Sequence, residues 1–152
     1  MRKRKLVKTV RNSRVPCICE VRTLKMIYEG DVIGTISEER NDAGEFDWVI
    51  RPDWKVLERH KELQIAGIDM SLMLEEYIRS YIPAFVEERT LPDTRDGLYE
   101  ELERLGLYYN DRFEYMSRTH GLCGCNNITV DRLTDGEQRA FDKKYPISEL
   151  KY

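Results

Sequence analysis

The apolar pattern changes period at Pro52, and this switch constrains the fold more than any other feature of the chain. Before it, β-branched and aromatic residues fall in short runs broken by polar turns. Residues 5–10 and 15–22 read as two strands with Asn12-Ser13 between them. Leu24, Ile27, Tyr28, Val32, Ile33 and Ile36 belong to two more strands around Glu29-Gly30-Asp31. After the turn at Asn41-Asp42-Ala43-Gly44, Phe46, Trp48 and Ile50 alternate with other residues, the pattern of a half-buried strand. Residues 5–51 are therefore expected to form an antiparallel meander.

Beyond Pro52 the spacing becomes helical. Trp54, Leu57 and Lys61 suit a short helical turn. Residues 69–88 place Leu72, Leu74, Tyr77, Ile78, Tyr81 and Ile82 at mixed i+3 and i+4 intervals. They read as an amphipathic helix capped by Asp69 or Ser71 and kinked at Pro83. Asp93 or Thr94 is expected to cap a helix bearing Leu98, Leu102 and Leu105, stopped by Gly106. Asn110-Asp111 opens another, carrying Phe113, Tyr115 and Met116 and ending near Gly121. Residues 127–133 read as a last strand with Ile128 and Val130 inward, closing on the early sheet. The fold class is thus α+β: an antiparallel N-terminal sheet, three to four helices, and a final strand. The polar stretch 134–152, with a weak helical pattern and Pro146, is expected to pack loosely or dock on a partner.

Charge separates the N-terminus from the rest. Residues 1–14 hold seven cations and no acid, so the remainder carries −10 within a net charge of −3. An acidic body opposes broad nucleic-acid binding. That leaves Arg2, Lys3, Arg4 and Lys5 as the candidate nucleic-acid contacts of a basic arm. No apolar run approaches the roughly 20 residues of a membrane-spanning helix. The basic terminus also lacks the apolar core of a secretory signal, so the cytoplasm is the expected compartment.

Chemistry is sparse. The chain has no G-x-S-x-G, P-loop, G-x-G-x-x-G or H-E-x-x-H pattern. His60 lies in the charged stretch 58–62 and reads as a surface residue. Paired glutamates such as Glu75-Glu76 and Glu100-Glu101 read as solvated helix faces. A small hydrolase built on the carboxylates or His120 is the weakest reading, because it needs those groups within hydrogen-bond reach in one pocket. No enzymatic activity and no cofactor are expected.

The cysteines form two C-x-C pairs, Cys17/Cys19 and Cys123/Cys125. Residues i and i+2 of a strand share a face, so four sulfurs would surround a structural Zn²⁺ if the last strand closed beside the second. Reduced cysteines filling space are the alternative.

Several blocks together resemble a known family. Residues 24–36 contain Val32-Ile33-Gly34-Thr35-Ile36, and Phe46-Asp47-Trp48 and Pro52-Asp53-Trp54 follow. Next come Pro83-Ala84-Phe85 with Leu91-Pro92-Asp93, then Leu102 to Leu107, Asp111 to Met116, and Gly121 with Ile128-Thr129-Val130. In order and spacing, residues 23–133 are similar to the N-terminal accessory subdomain of HipA-type serine/threonine kinases. The kinase core would begin where this chain ends. The resemblance implies a domain at 23–133, preceded by an arm and extra strands at 1–22 and followed by the tail at 134–152. It also implies a stand-alone module of a three-part toxin–antitoxin system, a non-enzymatic subunit that binds and restrains a separate HipA-like kinase chain. Trp54, Phe85, Leu91 and Pro92 are the residues expected at that interface.

Overall fold

Glu29 and Gly30 both take positive φ, 50° and 82°, between the paired residues Tyr28 and Asp31. This is the type I′ geometry whose twist matches a two-residue hairpin, and Gly30 adopts it without a Cβ penalty. It joins the first two strands of the central sheet. The computed structural model of the chain describes residues 4–5, 7–9, 17–20, 22–40, 45–124 and 126–148, with side chains for 22–39, 45–124 and 126–146. In chain order the strands are β1 (Arg4–Lys5), β2 (Val7–Thr9), β3 (Cys17–Glu20), β4 (Arg22–Tyr28), β5 (Asp31–Arg40), β6 (Phe46–Pro52), β7 (Tyr77–Arg79), β8 (Thr129–Arg132) and β9 (Ile147–Ser148). The helices are α1 (Trp54–Leu57), α2 (Ala84–Glu87), α3 (Leu98–Arg104), α4 (Arg112–Thr119) and α5 (Asp135–Lys144), with a 3₁₀ turn at Met70–Leu72.

The central sheet is antiparallel, in the order β7-β6-β5-β4-β8. The α+β class and the closing strand are as the sequence implies; the expected meander of residues 5–51 is realised over β4–β6, while β2 and β3 pair apart from the central sheet. β8 joins the sheet beside β4, with Val130 opposite Met26, and both Ile128 and Val130 are buried. β5 and β6 approach so closely at Gly34 that a Cβ there would lie 2.6 Å from the Arg51 carbonyl oxygen. Two small pairings flank the sheet, β2 antiparallel to β3 and β1 parallel to β9.

One face of the sheet carries Leu24, Met26, Ile36, Trp48, Ile50, Tyr77 and Val130, which pack with Phe85, Val86, Phe113 and Met116 in the main core. Each such side chain contributes about 1.5–3 kcal/mol when fully buried. A second cluster, Leu91, Leu98, Leu102, Leu107 and Tyr115, holds α3 against α4. The end of α3 makes the paired Schellman bonds, Leu107 N to Leu102 O and Gly106 N to Glu103 O.

Three expectations are corrected. Residues 69–88 are not one helix. Met73 takes a left-handed φ of 46°, Tyr77–Arg79 pairs with the open edge of β6, and only Ala84–Glu87 after Pro83 is helical. Pairing with a strand satisfies more backbone groups there than a helix interrupted by Pro83 would. The helix bearing Leu98 starts at Gly97 without a side-chain cap, beyond Asp93 and Thr94. Finally, the weak helical stretch of the tail is a helix over 135–144 that packs on the sheet rather than loosely. Thr134 and Glu137 form a reciprocal capping box, and Phe141 and Tyr145 are buried.

α5 lies on the other face of the sheet. There Glu39 accepts from Arg51 Nη1 (2.5 Å) and Nη2 (3.2 Å), and Glu76 accepts from Arg51 Nε (2.8 Å). The Tyr145 and Phe141 rings sit 4.3 and 5.6 Å from the Arg51 guanidinium carbon, and Lys25 donates to Glu137 (2.8 Å). This face explains why alternation along β6 is lost: Asp47, Val49 and Arg51 are as buried as Trp48 and Ile50.

Candidate partner-binding surface

Asp53 caps α1 by accepting from Val56 N, which sets Trp54 at the first helical position. The Trp54 ring is half-buried and stands 6.5 Å from that of Tyr77. Its Nε1 donates to the carbonyl of Leu74 (2.9 Å). Tyr77 fixes the same loop from below, donating from its hydroxyl to Asp69 O (2.7 Å) and accepting from Leu74 N (3.2 Å). Asp69 in turn accepts from the backbone and hydroxyl of Ser71. A loop pinned at 69, 74 and 77, with Met73 in a left-handed conformation, turns three consecutive apolar side chains outward. Leu72 is 60% exposed, Met73 58% and Leu74 43%.

Trp54 and Met73 form a ridge between two cavities. One, about 490 Å³, is walled by Leu57, Leu63, Ile68 and Met70. The other, about 400 Å³, lies between Val32 and the rings of Phe141 and Tyr145 on α5. Cavities of this size, with apolar and charged walls, suit anchor side chains or small ligands.

Of the residues expected at an interface, Trp54 and Pro92 offer surface, whereas Phe85 is 0% and Leu91 7% exposed. Phe85 lies in the main core with Arg89 over its ring (3.8 Å), and Leu91 lies in the second cluster. Pro83 precedes α2, and the helix turns Phe85 inward. Leu72–Leu74 went unrecognised because a helical reading puts Leu72 and Leu74 on a buried stripe.

The ionisable residues mostly hold elements together. Arg22 donates to both Asp111 oxygens (2.6 and 2.8 Å) and to Glu38 (2.7 Å), while its guanidinium lies over Phe113. Burial would lower the Arg22 pKa, but Glu38 and Asp111 outweigh it and raise it. Burial raises Glu38. It also pushes Asp111 upward, but the hydrogen bonds and charge of Arg22 win and hold Asp111 below the usual carboxylate range. His60 is buried rather than on the surface. Its Nε2 bonds Asp31 (2.8 Å), with Glu29 (3.7 Å) and Glu62 (4.0 Å) near Nδ1, and the His60 bond lowers the Asp31 pKa. His120 Nδ1 bonds Asp131 (2.7 Å). The hydroxyl of nearby Ser117 accepts from Arg132 Nε (2.8 Å).

The four-cysteine arrangement requires the last strand beside β3, and β8 pairs with β4 instead. β8 arrives from the Ile27 end of β4, whereas Cys17 and Cys19 precede its Arg22 end. Cys123 is half-buried and free. Cys125 and the side chains of Cys17 and Cys19 lie outside the described residues, among which no cluster suited to a metal ion occurs. Arg2 and Lys3 also lie outside them, as do the side chains of Arg4 and Lys5. No helix among the described residues is long and apolar enough to cross a membrane. No protein-family model, curated protein or solved structure matches the chain.

Proposed function

We propose that this chain is a non-enzymatic docking subunit whose contact surface is the Trp54 ridge with Leu72–Leu74. The carrying observation is that run of three outward apolar residues, held rigidly by Trp54, Asp69 and Tyr77. Exposed apolar surface beside a half-buried tryptophan favours a protein partner, and tryptophan is enriched at interface hot spots. A stable complex needs roughly 1,200–2,000 Å² of total buried area, so the ridge is the centre of a wider contact. The partner implied by the resemblance is a separate HipA-like serine/threonine kinase chain, which this subunit restrains within a toxin–antitoxin system in the cytoplasm.

The test is co-expression with such a kinase followed by affinity capture. The wild-type chain is expected to capture the kinase and lower its phosphorylation of substrate. Trp54→Ala and Met73→Asp are each expected to weaken capture by about tenfold or more, the effect of losing a hot spot. Tyr99→Ala, exposed on α3, is expected to leave it unchanged. Equal capture by all three variants overturns the assignment of the surface. Absence of capture by the wild-type chain overturns the kinase as partner.

A further inference from the structure

The ridge of Trp54, Leu72, Met73 and Leu74 has a hollow on each side, so one patch of surface carries both a knob and sockets of a size to take it. The knob is stiff. Trp54 Nε1 and the Tyr77 hydroxyl hold residues 69–74, and Met73 keeps its left-handed φ of 46° among them. A preorganised loop gives up little freedom when it seats in a partner. The larger hollow, about 490 Å³, is the apolar one, walled by Leu57, Leu63, Ile68 and Met70.

Shape, extent and charge together point to one occupant. A convex strip beside a concave one is self-complementary about a two-fold axis, where residue i of one copy meets j of the other and j meets i. Twelve residues line each hollow, Trp54 and Met73 line both, and Leu72 and Leu74 bring the patch to 24 residues. That lies within the roughly 20–30 residues a side of a standard interface. An acidic body repels a copy of itself, but the mouth of each hollow carries both signs. Glu58 and Asp69 stand with Lys61 at the larger, and Asp53 and Glu75 with Lys144 at the smaller, all of them exposed. Either sign on one copy therefore has its opposite on the other.

We infer that the free chain pairs with a second copy of itself through this patch, each Leu72 seated in the larger hollow of the other copy. The pairing occupies the surface assigned above to docking and rests on that reading in one respect: the kinase and the second copy exclude one another. Self-pairing then covers the apolar ridge until the partner displaces it.

The test is sedimentation velocity of the full chain, without kinase, from about 1 to 300 μM, which spans the weak end of affinities for interfaces of this size. A reversible monomer–dimer equilibrium is expected. Leu72→Asp is expected to raise its dissociation constant about tenfold or more, as loss of an anchor does. Leu72→Met, which conserves volume and apolar character, is expected to keep the dimer. Tyr99→Asp, exposed on α3, is expected to leave the equilibrium unchanged. Leu72 is 60% exposed, so its replacement spares the core, and thermal unfolding of each variant checks this. Added kinase is expected to replace the homodimer by a complex holding one copy of each chain. A chain that stays monomeric throughout, or a dimer that Leu72→Asp leaves intact or Tyr99→Asp weakens equally, overturns the self-pairing. A kinase complex that retains the homodimer overturns the exclusion. Because self-association is read without the kinase, failed pairing and failed capture are separate results.

Discussion

The two faces of the central sheet are about equally buried and are held by opposite means. Toward α2 and α4 the sheet presents Leu24, Met26, Ile36, Ile50 and Tyr77, and removal of apolar surface from water stabilises the contact. Toward α5 it presents Thr23, Ser37, Glu39, Asp47 and Arg51, with Val49 the buried apolar exception on β6. There stability depends on every charge finding a partner, because an unpaired buried charge costs more than an unfilled apolar site. The comparison teaches that burial on one face follows hydrophobicity, while on the other it follows charge complementarity and two aromatic rings delivered from the end of the chain.

The largest effect expected is from Glu39→Ala. It strips the fully buried Arg51 of its bidentate partner and should cost about 3–5 kcal/mol in urea unfolding, as much as a large core truncation. A cost under about 1 kcal/mol would show that water reaches Arg51 and that the polar face is not sealed. Phe141→Ala should cost about 3 kcal/mol, at the low end for a buried phenylalanine. If α5 were only a loose appendage, unfolding would not register that change.

Acid offers a smaller, graded test on the core side, at Asp111. Because its folded pKa is depressed, its contribution is complete above the unfolded value of about 3.9 and is lost as pH falls through the lower folded value. Denaturation midpoints should therefore drop on acidification below about pH 4. Asp111→Asn should be less stable at neutral pH and lose that part of the pH dependence. Glu38 runs the other way: its raised pKa means that its contribution diminishes as pH rises through the folded value. The smallest effect is expected from Thr134→Ala, which opens the capping box of α5 at a cost of about 1 kcal/mol.

The same contrast explains what could be read from the residues alone. β4, β5, β6 and β8 carry β-branched and aromatic runs bounded by turn residues, so local pattern suffices for them. β7 does not: Tyr77 and Ile78 fit a helix and a strand equally, and the choice was made by the unpaired edge of β6, which is distant in sequence. The exposed apolar ridge was half legible. Trp54 stands out after Pro52-Asp53, whereas the exposure of Leu72–Leu74 depends on the hydrogen bonds from Trp54 and Tyr77 that turn the loop. The helical pattern of α5 was only weakly legible and its docking was not, because only Phe141 and Tyr145 mark its buried side and their partner is a charged arginine rather than an apolar stripe.

The pairing of β8 with β4 sets an order of assembly. The first three strands of the sheet are neighbours in sequence and close cheaply, but Ile27 must wait for Thr129. During synthesis, the flank of β4 therefore stays bare until Thr129–Arg132 has left the ribosome. A bare strand flank is a template for pairing with other chains. Fragments that stop before Thr129 are accordingly expected to aggregate, whereas a chain that reaches Arg132 closes its own edge.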